Sequence, residues 1–239
     1  IGEKIQKFIC YQKILQLQLI MNTIKKLYLA LAVVLVTIVS TNTANAQVEV
    51  STGADIYSTY VWRGIFYSGP ALQPTIELSS GNFTIGTWGS QAFDNGFQEL
   101  DFYAGYSFNF GLSVGLTDYY YPTATPFLDD QSHAFELNLG YEIEDFSIAA
   151  NMILNEATGA ASAGGEMYFE LGYNLGPASV FIGGGDGWHT TDGEFGLTNI
   201  GISTGKEIVI TDTFSIPVSA ALIINPEADQ AYAVVGFSF

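Results

Sequence analysis

The chain is 239 residues long and carries a net charge of -17, with 24 acidic residues against 7 basic ones. Nucleic-acid binders neutralise phosphates with Lys and Arg, so this balance excludes nucleic acid as a partner. The lone cysteine, Cys10, leaves no route to an internal disulfide, and the chain beyond position 46 has no thiol for a nucleophile or a metal centre.

The charge divides along the chain. Lys4, Lys7, Lys13, Lys25 and Lys26 precede position 47, and only Arg63 and Lys206 follow it. Every acidic residue except Glu3 lies beyond that point. Residues 1–20 begin with Ile and precede Met21; the simplest account is that translation starts at Met21 and the upstream stretch is spurious. Met21 is followed by Lys25 and Lys26, then by an apolar run over 27–39 broken only by Thr37, then by the small-residue ending Ala44, Asn45, Ala46. This is the layout of a secretory signal peptide over 21–46, with cleavage expected between Ala46 and Gln47. A retained membrane helix takes roughly 20 apolar residues, more than this run supplies.

From 47 to 239 the hydrophobic period is two. Over 98–108, Leu100, Phe102, Ala104, Tyr106 and Phe108 share one face, while Glu99, Asp101, Tyr103 and Gly105 share the other. Over 133–143, Phe135, Leu137, Leu139, Tyr141 and Ile143 oppose Glu136, Asn138, Gly140 and Glu142. Over 166–175, Met167, Phe169, Leu171, Tyr173 and Leu175 oppose Glu166, Tyr168, Glu170, Gly172 and Asn174. A strand separates such sets, whereas a helix mixes them.

Twelve strands are expected, near 48–62, 71–79, 83–92, 97–108, 111–121, 132–143, 146–154, 164–175, 178–187, 195–209, 213–224 and 230–239. They are long for a soluble sandwich and close to the 9–11 residues or so of a transmembrane strand. Tight turns near 80–82, 109–110, 144–145, 176–177 and 211–212 alternate with longer connections at 63–69, 122–131, 155–163 and 187–194. Together these predict an all-β fold: a closed antiparallel transmembrane β-barrel of about twelve strands, within a range of 10–14, occupying 47–239 with both termini on the periplasmic side. Pro74 and Pro217 fall inside expected strands, where each removes a ladder hydrogen bond. Aromatic girdles are expected at the strand ends: Tyr60, Trp62, Phe66, Tyr119, Tyr120 and Tyr121 on the long-loop side, and Phe83, Phe108, Phe110, Phe146 and Phe214 on the short-turn side. The alternating apolar end of the chain, finishing in Phe239, reads as a signal for the barrel-assembly machinery.

Three stretches resemble the TorF family of porins: Tyr60, Trp62, Arg63, Gly64 and Ile65; Pro70, Ala71, Leu72 and Gln73; and Gly86, Trp88, Gly89 and Ser90. The resemblance is clearest over 50–121. It implies a channel in the outer membrane of a Gram-negative cell and leaves the solute open.

Continuing the alternation past Asp55 puts Arg63 on the inward face at the outer rim. The expected pore lining is Asp55, Arg63, Glu77, Glu99, Asp101, Glu136, Glu142, Glu166 and Glu170, with Glu49 on the same inward face near the start of the first strand. Arg63 should pair with one or more of these acids, either to neutralise them or to form one side of a constriction. The remaining carboxylates lack basic partners and need water or cations, since an unpaired buried charge is costly. The function expected is therefore a porin-like channel for passive diffusion of small solutes, narrow and cation-preferring. The alternative is a structural or surface-interaction barrel without a conducting pore. An enzyme is not expected: Ser132 and His133 are adjacent and face opposite ways, and only a loop dyad of His189 with Asp186 or Asp192 offers a rival. No cofactor is expected, beyond divalent cations held loosely by Asp129, Asp130, Glu227 and Asp229 and bridging to lipopolysaccharide. The other partners expected are outer-membrane lipid and small solutes or ions.

Overall fold

The computed structural model describes residues 48–239. The stretch 1–20, the signal peptide expected at 21–46 and its cleavage point lie outside the described residues. The strands follow the period-two pattern: β1 (Glu49–Tyr57), β2 (Tyr60–Trp62), β3 (Ile65–Ser68), β4 (Ala71–Ser80), β5 (Phe83–Ala92), β6 (Gln98–Ser107), β7 (Leu112–Tyr120), β8 (His133–Ile143), β9 (Phe146–Ile153), β10 (Met167–Asn174), β11 (Ser179–Gly185), β12 (Gly196–Thr211), β13 (Phe214–Asn225) and β14 (Gln230–Ser238).

Twelve of these close into a barrel in the order β1-β14-β13-β12-β11-β10-β9-β8-β7-β6-β5-β4, and every neighbouring pair is antiparallel. The closing seam is short, matching Asp55, Ile56 and Tyr57 to Ser238, Phe237 and Gly236. Glu49 pairs with Ser79 beside the β4–β5 turn, so β1 starts at the mouth where the tight turns lie, and β14 runs toward that mouth and ends opposite the middle of β1, with Ser238 at Asp55.

Burial is inverted relative to a water-soluble protein. Ile76, Ile85, Phe102, Leu139, Leu171 and Leu222 point away from the barrel and are exposed, while Gln73, Glu99, Asp101, Glu136, Asn151 and Asn199 on the opposite faces are buried. Soluble proteins rarely leave so continuous an apolar surface uncovered.

The two prolines are accommodated by gaps in pairing. Ala54 exchanges backbone hydrogen bonds with Phe239 (3.1 and 3.0 Å), which turns its partner Pro74 toward β5. The β4–β5 register lapses there, between the pairs Leu72–Gln91 and Thr75–Trp88. Pro217 pairs with Glu207 on β12, while β13 meets β14 only from Val218 onward. Neither ring thus displaces a donor that the ladder uses.

The first strand departs from expectation. It does not run from 48 to 62, and 63–69 is not an open loop. β1 stops at Tyr57, and the chain turns into a separate two-stranded sheet, β2 with β3. The aromatic girdle changes accordingly. Tyr60 is buried with Trp88 (5.5 Å between ring centres) and Phe97 (5.9 Å), and Trp62 packs on Tyr119 and Trp188 at 5.6 and 6.3 Å. These rings belong to the interior at the long-loop mouth, where Tyr119, Trp62 and Trp188 pack with a small apolar cluster of Ala134, Ile153, Ala157 and Ala160. Phe66 is exposed and stacks on Tyr232 of β14.

Candidate functional site: a hairpin across the acidic lumen

The β2–β3 hairpin turns on two residues, Arg63 (φ 51) and Gly64 (φ 81). Positive φ at both central positions suits the twist of a two-residue hairpin, and glycine meets this without cost. Gly64 is also pressed onto β12, so closely that a Cβ there would fall 1.8 Å from the carbonyl oxygen of Thr198.

The tip is fastened to walls far from its own strands. The Thr198 hydroxyl donates to the Arg63 carbonyl (3.1 Å), and the Asn225 amide donates to the Gly64 carbonyl (3.0 Å). The Arg63 guanidinium donates to both oxygens of Glu136 on β8, at 2.6 and 2.9 Å. Its plane lies over Trp62 at 4.3 Å and Tyr168 at 4.4 Å. The Tyr60 hydroxyl donates to Glu99 on β6 (2.9 Å). The hairpin leaves from β1 and returns to β4, whereas β8, β10 and β12 lie across the strand order from them, so it crosses the lumen.

Arg63 faces inward and pairs with a lumen acid, as the alternation suggests, but it does so from the tip of a separate hairpin and not from a continuation of β1 at the rim. Two positive φ values turn it inward, because the chain reverses at that residue. The bidentate ion pair is the strong form of the Arg–carboxylate contact. Glu136 also accepts from the hydroxyl of Tyr119 (2.8 Å) and the amide of Asn138 (2.6 Å), so its carboxylate is fully satisfied though almost wholly enclosed.

The other expected lining residues spread along the axis. Glu99 and Asp101 sit buried beneath the hairpin, and Asp101 Oδ1 has no hydrogen-bond partner among the described residues. Glu170 accepts from Asn199 (2.8 Å) and from the hydroxyl of Tyr168. Asp55 pairs across β1–β4 with buried Gln73, and Glu77 accepts from Tyr103 (3.0 Å) nearer the tight-turn mouth. Glu142 stands exposed at that mouth, and so does Glu49 at the start of β1. Glu166 lies in the β9–β10 connection rather than inside a strand, and binds the hydroxyl of Ser162 (2.9 Å) and the amide N–H of Ala163 (2.6 Å).

Some functional candidates escaped the sequence reading. Trp62, Tyr67, Phe97, Tyr168, Trp188 and Asn199 all build the loop-end interior. The X-Gly pair between two aromatic-rich runs was a signal for the hairpin. The short turn at Gly187–His189 had none. His189 sits at the end of that turn, buried against Trp62 (5.4 Å) and Tyr168 (5.1 Å), and its Nδ1 has no partner among the described residues. Burial, with help from the Arg63 charge, pushes its pKa down to about 3, so the ring is neutral.

The loop carboxylates do not engage His189. Asp186 accepts from the backbone of Met167 (2.6 Å) and Asp192 from that of Glu194 (3.0 Å). His133 Nδ1 faces Asp118 (2.9 Å), while the Ser132 hydroxyl bonds to Thr125 (2.6 Å) and Pro126 (2.7 Å). Asp129 caps its own turn at Gln131, Glu227 accepts from Thr191 of another connection, and no cluster of metal-ligating side chains forms among the described residues.

Residues 41–176 match a family model described as a bacterial protein of unknown function (Gcw_chp). The chain belongs to this family. The stretches around Arg63, Gln73 and Trp88 all fall inside the matched region. No curated protein matches the chain. Among solved structures it is similar to a mutant porin of Rh. blastica, at 13% identity over 80% of this chain and 73% of the porin, with a TM-score of 0.40. It is also similar to outer membrane phospholipase A from Escherichia coli, at 12% identity over 78% of this chain and 94% of that one, with a TM-score of 0.37. The fold stands on the closed register of the barrel itself.

Proposed function

We propose that this protein is an outer-membrane barrel of a Gram-negative cell that passes small solutes along a narrow, cation-preferring path. One observation carries the reading: the closed wall is apolar outside and acidic within. Every backbone group of a membrane-spanning sheet must be paired, which a closed barrel achieves. Its exposed Ile, Leu and Phe side chains then meet lipid instead of water. Among the described residues the interior holds Glu99, Asp101, Glu136 and Glu170 against one cation, Arg63, and such a field draws cations and repels anions. The resemblance to the TorF family of porins supports the same function. On this reading the tight-turn mouth faces the periplasm and the long-loop mouth faces outward.

The hairpin lying across the lumen favours a second reading, a structural or surface-interaction barrel without a conducting pore. Planar-bilayer recording of the purified barrel in a potassium chloride gradient separates the two. A reversal potential of cation-selective sign is expected. Anion selectivity overturns the proposal, and silence in both the wild type and a hairpin-loosened variant establishes the second reading.

A further inference from the structure

Above the hairpin, the long loops enclose an open cavity of about 580 Å³. Four aromatic rings line it, Tyr67, Phe97, Tyr121 and Trp188, together with the Glu166 carboxylate. Tyr67 comes from β3, so the hairpin supplies part of the lining. Phe97 packs on Tyr67 at 5.2 Å and on Tyr121 at 5.9 Å, giving a contiguous aromatic wall. Glu166 is buried, and its two bonded partners, Ser162 and Ala163, are neutral. Its charge therefore has donors but no countercharge. No basic side chain lines the cavity.

The protein already shows what this combination of groups holds. Arg63 lies between the rings of Trp62 and Tyr168, with Glu136 as its counterion. The cavity repeats those pieces, π-faces and an enclosed carboxylate, and no cation among the described residues fills it. The negative face of an aromatic ring attracts a cation most strongly where water is excluded. We propose that this cavity binds a small organic cation, of the quaternary-ammonium or substituted-ammonium class, with Trp188, Tyr121, Tyr67 and Phe97 as the cage and Glu166 as the counterion. The proposal names a ligand class for the mouth of the proposed channel, and it does not depend on conduction.

Isothermal titration calorimetry on the detergent-solubilised barrel tests it, with choline as the probe and 3,3-dimethylbutan-1-ol as its uncharged isostere. Saturable choline binding is expected, with the isostere roughly tenfold weaker or more. Phe97→Leu should lower choline affinity several-fold while the melting temperature of the barrel holds, and Trp188→Leu, which also loosens packing on Trp62 and Tyr119, should lower both. Glu166→Gln should narrow the gap between choline and the isostere. Absence of saturable heat with choline overturns the proposal. So does equal binding of the isostere, which marks a merely apolar pocket, or an identical response to sodium chloride. Wild-type protein alone yields these outcomes, so a misfolded variant does not rescue the idea. Bilayer currents without choline binding sink the cavity proposal and leave the channel reading intact.

Discussion

Arg63 and Glu136 form a pair in which neither partner is replaceable alone. Their side chains are 12% and 1% exposed, so removing one strands the other in a poorly hydrated place. Breaking such a pair typically costs about 3–5 kcal/mol, whereas replacing both with apolar residues is often close to neutral. Arg63→Met should therefore lower the unfolding temperature markedly, and Arg63→Met with Glu136→Leu should recover most of it, as read by thermal melts in detergent. His189 contributes in the opposite electrostatic sense, since its folded pKa of about 3 lies below the ordinary value of about 6.5. The neutral ring stabilises the folded interior above pH 6.5 or so. Below that the unfolded chain gains a proton that the folded one refuses, and stability falls as pH drops toward 3. A stability profile between pH 8 and 4 should show this loss, and His189→Gln should flatten it.

At the scale of elements, the hairpin is held at its tip by contacts to β8, β12 and β13. Gly64 is the residue for which there is no substitute, having both a positive φ and backbone contact with Thr198. Gly64→Ala cannot be seated without moving the tip away from β12, which also strains the Asn225 and Arg63 carbonyl contacts. Bilayer recordings should show higher or less stable conductance in Gly64→Ala than in wild type, with the barrel itself still folded. Unchanged conductance would mean that the hairpin does not restrict the path. The prolines teach the converse lesson about elements. Pro74 and Pro217 survive in the wall because the ladder has no donor to lose there, so both are legible as strand residues only once the pairing is known.

For the whole molecule, the decisive property is that the apolar surface faces out. Leu171 lies mid-strand on β10 and is 55% exposed on the outer face. On a lipid-facing wall, Leu171→Lys should cost about 2–4 kcal/mol if the site lies near the bilayer midplane and little if it lies near an interface. The same substitution at Leu128, which is 94% exposed in a loop, should cost nothing measurable. Folding titrations into lipid vesicles measure both, and equal, negligible effects would argue against a membrane-spanning wall.

Period-two alternation was enough to read the walls. A side chain in a strand points one way or the other, so Phe102 beside Asp101 and Leu139 beside Glu136 sort into outer and inner faces with no knowledge of neighbours. Strand number, antiparallel pairing and the acidity of the lumen follow from that local rule. The hairpin did not follow, because Tyr60 and Trp62 extend the same alternation and read as more wall. What turns them inward is contact with partners far along the chain: Glu136 lies 73 residues from Arg63, Thr198 135 residues from it, and Asn225 161 residues from Gly64. Such contacts exist only after the barrel closes and brings β8, β12 and β13 within reach of the tip. Closure likewise makes an ion pair of Arg63 and Glu136, and gathers Tyr67, Phe97, Tyr121 and Trp188 from separate connections into one cavity. Alternation is a property of each strand, whereas the interior belongs to the ring of strands as a whole.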